Sequence, residues 1–190
     1  MCLWKESEAK MQTYAISKTI YSEDIKRLRK MLGLTQREFA VLTGVSHKTV
    51  ERWESTKDPI TGPITTLFRI LWEQPKLAEY YSVSEPCFPT RIWYMHRSEI
   101  CTLIDVDEVQ REVRIRNYTN RIQYRAFGVN EEPTFDEYQE FLESRCFPRS
   151  GDKMKIRLQE LGIPFYDPLL IIEKTQGRMA EDEFWIRIEQ

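Results

Sequence analysis

Four side chains able to donate hydrogen bonds, His47, Lys48, Thr49 and Arg52, crowd a short stretch whose apolar positions, Val50 and Trp53, stand three apart. At helical spacing those two apolar residues share an inward face and the four polar ones point outward. Lysine and arginine suit the O6 and N7 acceptors of guanine, so the chemistry on offer is recognition of nucleic acid by hydrogen bonding. A solvated helix face can carry the same residue types, and the neighbouring elements have to decide between the two.

Those elements favour recognition. Ser46 is placed to cap the helix that carries the four side chains. Upstream, Thr35 can cap a first helix while Glu38, three residues on, reaches back to the Thr35 amide, which is a capping box. Phe39, Ala40 and Leu42 give that helix an apolar side, and Ala40 is small enough for the second helix to cross close by. Gly44 supplies the turn between them, with an expected positive φ. Two short helices joined by a glycine turn have the layout of a DNA-reading helix-turn-helix.

Residues 22–81 resemble the Xre/Cro-type helix-turn-helix family of bacterial and phage repressors. The similarity begins with Ile25-Lys26-Arg27-Leu28-Arg29-Lys30-Met31-Leu32-Gly33-Leu34 and runs through Thr35-Gln36 to Trp53-Glu54. Ser55-Thr56-Lys57-Asp58-Pro59 departs from the family by carrying Thr56 in place of its usual glycine. Gly62-Pro63, the run Leu67-Phe68-Arg69-Ile70-Leu71-Trp72 and Pro75-Lys76-Leu77 resemble the closing helices of the antitoxin-like branch. The resemblance implies an all-α domain of five helices. It also implies that Gln36 donates to a phosphate, that His47, Lys48 and Arg52 face bases with Arg52 the foremost reader, and that Thr49 meets a thymine methyl or a phosphate. Lys57 would meet the backbone, so the implied DNA-binding set is Gln36, Arg37, Ser46, His47, Lys48, Thr49, Arg52 and Lys57.

Composition limits the alternatives. The 190 residues are 41% hydrophobic and 31% charged, and no apolar run approaches the roughly 18 residues of a membrane span. No signal-peptide order marks the N-terminus, so the chain is expected to stay in the cytoplasm. Cys2, Cys87, Cys101 and Cys146 lack a Cys-x-x-Cys spacing and only His47 and His96 accompany them, so no metal and no cofactor are expected, and all four cysteines read as buried or half-buried free thiols. The net charge of −2 divides unevenly: residues 1–80 hold 13 Lys plus Arg against 10 Asp plus Glu, a surplus of +3, and the remaining 110 hold 15 against 20, a deficit of −5. The motif lies in the basic part. So small a surplus puts the weight on placed contacts and on dimerisation.

Residues 1–21 read as an N-terminal extension: Leu3, Trp4, Met11, Tyr14 and Ala15 fit a loose helical face, and Tyr14, Ile16 and Ile20 fit an extended arm, in either case shielding a core or helping to form a dimer. Residues 82–98, with Pro86 and Pro89, read as a linker, though the shift of composition would allow the second domain to begin near Arg91. From 99 to 190 the pattern predicts a small α+β domain with an antiparallel sheet. Strand-like runs cover 100–106, 113–116 and 122–127, helices are expected after Thr134, around Met154–Leu161 and from Asp167-Pro168, and a last strand covers 184–188. The fold class is therefore α+β, a helical domain followed by a mixed one.

If residues 113–118 and 121–126 form a hairpin over Thr119-Asn120, then Arg114, Arg116, Tyr118, Arg121 and Arg125 share one face and Val113, Ile115, Ile122, Tyr124 and Ala126 the other. Threonine disfavours the positive φ of a tight two-residue turn, which is the weak joint of that register. The arginine face has three readings: neutralisation by an acidic covering helix, with Glu131, Glu132, Asp136, Glu137, Glu140 and Glu143 nearby in sequence, a protein partner of acidic character, or nucleic acid. The tail from Phe147 to Trp185 resembles the ends of uncharacterised small proteins of bacterial mobile elements.

Catalysis has little to stand on. His96 has no evident partner, no glycine-rich phosphate loop exists among seven glycines, and Glu173, Asp182 and Glu183 read as a solvated face. The chain is expected to be a DNA-binding regulator of transcription, a repressor of its own operon acting as a dimer. The alternative is an antitoxin-like or anti-CRISPR-like inhibitor whose second domain binds a protein while the first autoregulates. A third possibility, a vestigial scaffold, sits poorly with Gln36, Lys48 and Arg52 on exposed positions.

Overall fold

The computed structural model describes residues 13–150 and 153–189. It divides into two compact units, Met1–Ser82 and Val83–Gln190. Leu3, Trp4 and Met11, read above as part of an extension, lie outside the described residues.

The first unit is helical: α1 (Ser22–Met31), α2 (Gln36–Thr43), α3 (His47–Ser55), α4 (Pro63–Glu73) and α5 (Lys76–Tyr80). Local chemistry sets the ends. The Thr35 hydroxyl accepts the Glu38 amide at 3.2 Å while the Glu38 carboxylate accepts the Thr35 amide at 2.6 Å, closing the capping box at the start of α2. Gly44 ends α2 in the left-handed region at φ +69°, and Pro63 opens α4, where its missing N–H costs nothing. Ile25, Leu28, Phe39 and Val50 are fully buried where α1, α2 and α3 meet, and Ile64 and Leu71 of α4 close the core. Ile20 joins that core from β1 (Thr19–Ile20), which pairs antiparallel with β2 (Ile60–Thr61), whereas Tyr14 is exposed.

In the second unit, β3 (Thr90–His96), β4 (Glu99–Asp107), β5 (Glu112–Asn117) and β6 (Phe184–Glu189) form an antiparallel sheet in the order β5-β4-β3-β6. Helices α6 (Phe135–Ser144), α7 (Met154–Leu161) and α8 (Pro168–Thr175) pack on one side of it, burying Tyr138, Phe141, Ile171 and Ile172 against Ile92, Ile104 and Ile186. Thr134 caps α6 with a second capping box through Glu137, and Asp167 caps α8. Arg145, at the end of α6, holds the Asp182 carboxylate through two hydrogen bonds of 2.6 and 3.0 Å and also donates to the Gly177 carbonyl. No helix among the described residues is long and apolar enough to cross a membrane.

Three expectations change. The stretch 82–98, read as a linker, contains β3, whose Ile92 and Tyr94 alternate with Arg91 and Trp93 between two neighbours. The hairpin over Thr119-Asn120 does not form. Residues Ile122–Tyr124 make a 3-10 turn, and β5 pairs with β4 instead, Arg114 opposite Asp105 and Arg116 opposite Leu103. Neither Thr119 nor Asn120 takes the positive φ a tight hairpin needs; the chain leaves the sheet after the Tyr118 amide bonds to the Cys101 carbonyl. Val113, Ile115, Tyr124 and Ala126 still pack on the core, but Ile122 is half exposed. Cys87 is exposed, while Cys101 and Cys146 are buried, because Cys87 sits on the irregular segment before β3.

Candidate nucleic-acid interface

The outward face of α3 rests on a frame that is fixed from three sides. Arg29 of α1 grips Glu54 of α3, Nε to Oε1 at 2.6 Å and Nη2 to Oε2 at 3.1 Å, and its Nη1 donates to the Leu34 carbonyl. Gln36, the first residue of α2, donates from Nε2 to Glu54 Oε2 at 2.8 Å. One carboxylate thereby ties three helices together. Burial opposes its charge, but hydrogen bonds from Arg29 and Gln36 win and hold the Glu54 carboxyl below its usual range. The Glu54 hydrogen bond raises the Arg29 guanidinium in turn, against its burial.

Ser46 caps α3, its hydroxyl accepting the Thr49 amide at 3.2 Å and lying 2.9 Å from the Thr49 hydroxyl. Beyond the cap, Ser46, Lys48, Thr49, Glu51, Arg52 and Ser55 line an open depression along the outer face. Lys48 and Arg52 are exposed, and among the described residues neither has a carboxylate partner. His47 instead turns toward Glu51, Nδ1 3.8 Å from Oε1. A face with two unspent cationic donors, hydroxyls and one carboxylate can donate to guanine and accept from cytosine N4.

The structure thus brings Ser46, Lys48, Thr49 and Arg52 together, and places His47, Gln36, Arg37 and Lys57 outside the depression. Arg37 is exposed in the first turn of α2 and Lys57 in the turn after α3. Gln36 is half buried with its amide nitrogen engaged by Glu54, so the free phosphate donor expected there is in part a structural brace. Glu51 and Ser55 were not singled out by sequence, although Glu51 follows Lys48 by three and Ser55 follows Glu51 by four, spacings that share a helix face.

The model of the helix-turn-helix family matches residues 25–64, from α1 to the first turn of α4. The chain carries an Xre-like helix-turn-helix domain. Domains of this kind are DNA-binding modules of transcription regulators. In the helix-turn-helix, α2 and α3 are the paired helices and Gly44 their turn. No curated relative matches the chain.

The arginines read as a partner surface lie in the other unit, and they do not form one ribbon. Arg125 donates to the Thr119 carbonyl and pairs with Glu131 at 3.2 Å. Arg121 stands over the Tyr124 ring and Arg116 over Tyr118, 5.2 and 5.0 Å from the ring centres. Arg114 lies over Phe88. The acidic residues near α6 act elsewhere in part: Asp136 pairs with Arg111 and Glu137 is spent on the α6 cap.

Proposed function

We propose that this protein is a sequence-specific transcriptional repressor that acts on its own operon as a homodimer, with α3 lying in the major groove of each half-site. The unspent donors of Lys48 and Arg52 on the outer face of α3, held by the Arg29–Glu54–Gln36 brace, are the observation that carries the proposal. With its side chains α3 has the diameter of an α-helix, about 10 to 12 Å, which a major groove about 12 Å wide admits. Arg37 and Lys57 flank it as contacts to phosphate, and Gln36 contributes through the groups Glu54 leaves free. Dimerisation supplies the affinity that a modest surplus of charge does not.

Footprinting on DNA from upstream of the protein's own gene tests the proposal. Protection of two related half-sites about 34 Å apart supports it. Protection that ignores sequence, or that survives Lys48→Ala with Arg52→Ala, overturns it.

A further inference from the structure

One carboxylate stands among the donors on the outer face of α3. Glu51 lines the depression beside Lys48 and Arg52, its side chain 53% exposed. Three neighbours could engage it, and none does so fully. Lys48, three residues before, is spaced for an intrahelical ion pair with Glu51 but makes none. The Ser55 hydroxyl, one turn on, donates at 2.8 Å to the backbone carbonyl of Glu51 and not to its carboxylate. His47 Nδ1 stays 3.8 Å from Oε1, beyond hydrogen-bond length. Among the described residues the Glu51 carboxylate therefore accepts no hydrogen bond, and its lone pairs are left to what the face meets.

On a surface that meets a polyanion such a group is a liability. Phosphates rim a major groove about 12 Å wide, so a carboxylate carried into it stays within about 8 to 10 Å, a Debye length, of one rim or the other. Entry also strips water from the carboxylate, and only a hydrogen-bond donor in the groove offsets that loss. The penalty falls on every sequence alike, but the offset does not. Cytosine presents its N4 amino donor in the major groove. Guanine presents O6 and N7, and thymine O4, all acceptors that repel a carboxylate, while adenine sets its N6 donor beside the N7 acceptor. A carboxylate thus favours cytosine, where lysine and arginine favour guanine.

We propose that Glu51 is a specificity-determining residue of α3: it accepts from N4 of one cytosine in each half-site and penalises every duplex that lacks cytosine there. Lys48 and Arg52 supply attraction, and Glu51 supplies rejection of the wrong sequence. The inference rests on the reading of α3 as the helix that enters the major groove.

The test measures affinity of the full-length protein at one fixed salt concentration, with the natural protein, Glu51→Ala and Glu51→Gln. Its duplexes are the one from upstream of the protein's own gene, versions with each half-site base pair replaced in turn by the other three, and a scrambled control. The natural protein should prefer cytosine about tenfold at one half-site position or more. Glu51→Ala should level the preference at such a position, keep those elsewhere, and bind the scrambled duplex severalfold more tightly, because the uniform penalty has gone. Glu51→Gln, whose amide both donates and accepts, should move the preference at the same position from cytosine toward adenine. Tighter binding of the scrambled duplex also shows that the variants are folded. A base preference unchanged in both variants, or a loss of affinity equal for all duplexes, overturns the role of Glu51 while leaving the reading of α3 intact. A natural protein without preference at any position removes that reading and the inference together.

Discussion

Arg29 and Glu54, 25 residues apart, meet across α1 and α3 through two charge-assisted hydrogen bonds. Their side chains are only 16% and 7% exposed, so the pair sits where solvent screens it weakly. It fixes the angle at which α3 presents its outer face.

Replacing Glu54 with Gln should destabilise the helical domain by about 2 to 3 kcal/mol near neutral pH, because Arg29 then keeps a half-buried charge without its counter-ion. Hydrogen exchange of amides within residues 22–81 measures it without interference from the second unit.

The same pair sets a pH dependence. Glu54 titrates lower in the folded domain than its ordinary 4.5. Its contribution is therefore present above about pH 4.5 and is lost as pH falls through the lower folded value. The stability gap between the natural protein and Glu54→Gln should narrow on acidification. A gap that stays constant from neutral to acid pH would remove Glu54 from this role.

Gly44→Ala isolates a backbone effect. No atom lies within 4 Å of the Cβ that alanine would add, so no clash follows, and the cost is that of holding φ +69° with a side chain, about 1 kcal/mol. Thr35→Ala should cost about the same through loss of the α2 cap. Thermal unfolding of both variants checks the pair.

The helical domain was largely legible because its signals are local. Thr35, Glu38, Gly44 and Ser46 act on groups within three or four residues of themselves, so spacing alone discloses them. The brace was not legible: Gln36 and Glu54 are 18 residues apart, and nothing in the sequence near Gln36 shows that its amide is engaged. In the second unit the inward alternation of Val113 and Ile115 was readable, but which strand pairs with β5 depends on whether the turn at Thr119-Asn120 closes, and it does not. β3 stayed hidden because the prolines before it read as linker and its buried Arg91 breaks the apolar alternation until Asp105 is known to neutralise it.

Roles within the interface separate by substitution. Arg52→Ala should remove about 1 to 3 kcal/mol of discrimination between bases while leaving binding to random DNA nearly unchanged. Gln36→Ala should weaken all sequences alike, and through Glu54 it should also lower stability. Competition assays with specific and scrambled duplexes distinguish the two, and equal effects of both variants on both duplexes would contradict these assignments.

Fluorescence anisotropy of the full-length protein on duplex DNA from upstream of its own gene and on a scrambled duplex, each at two salt concentrations, tests the central claim most directly. Tighter binding to the upstream duplex that weakens as salt rises is the predicted result. Equal binding to both duplexes, or no binding to either, would contradict the assignment of α3 as a reader of sequence.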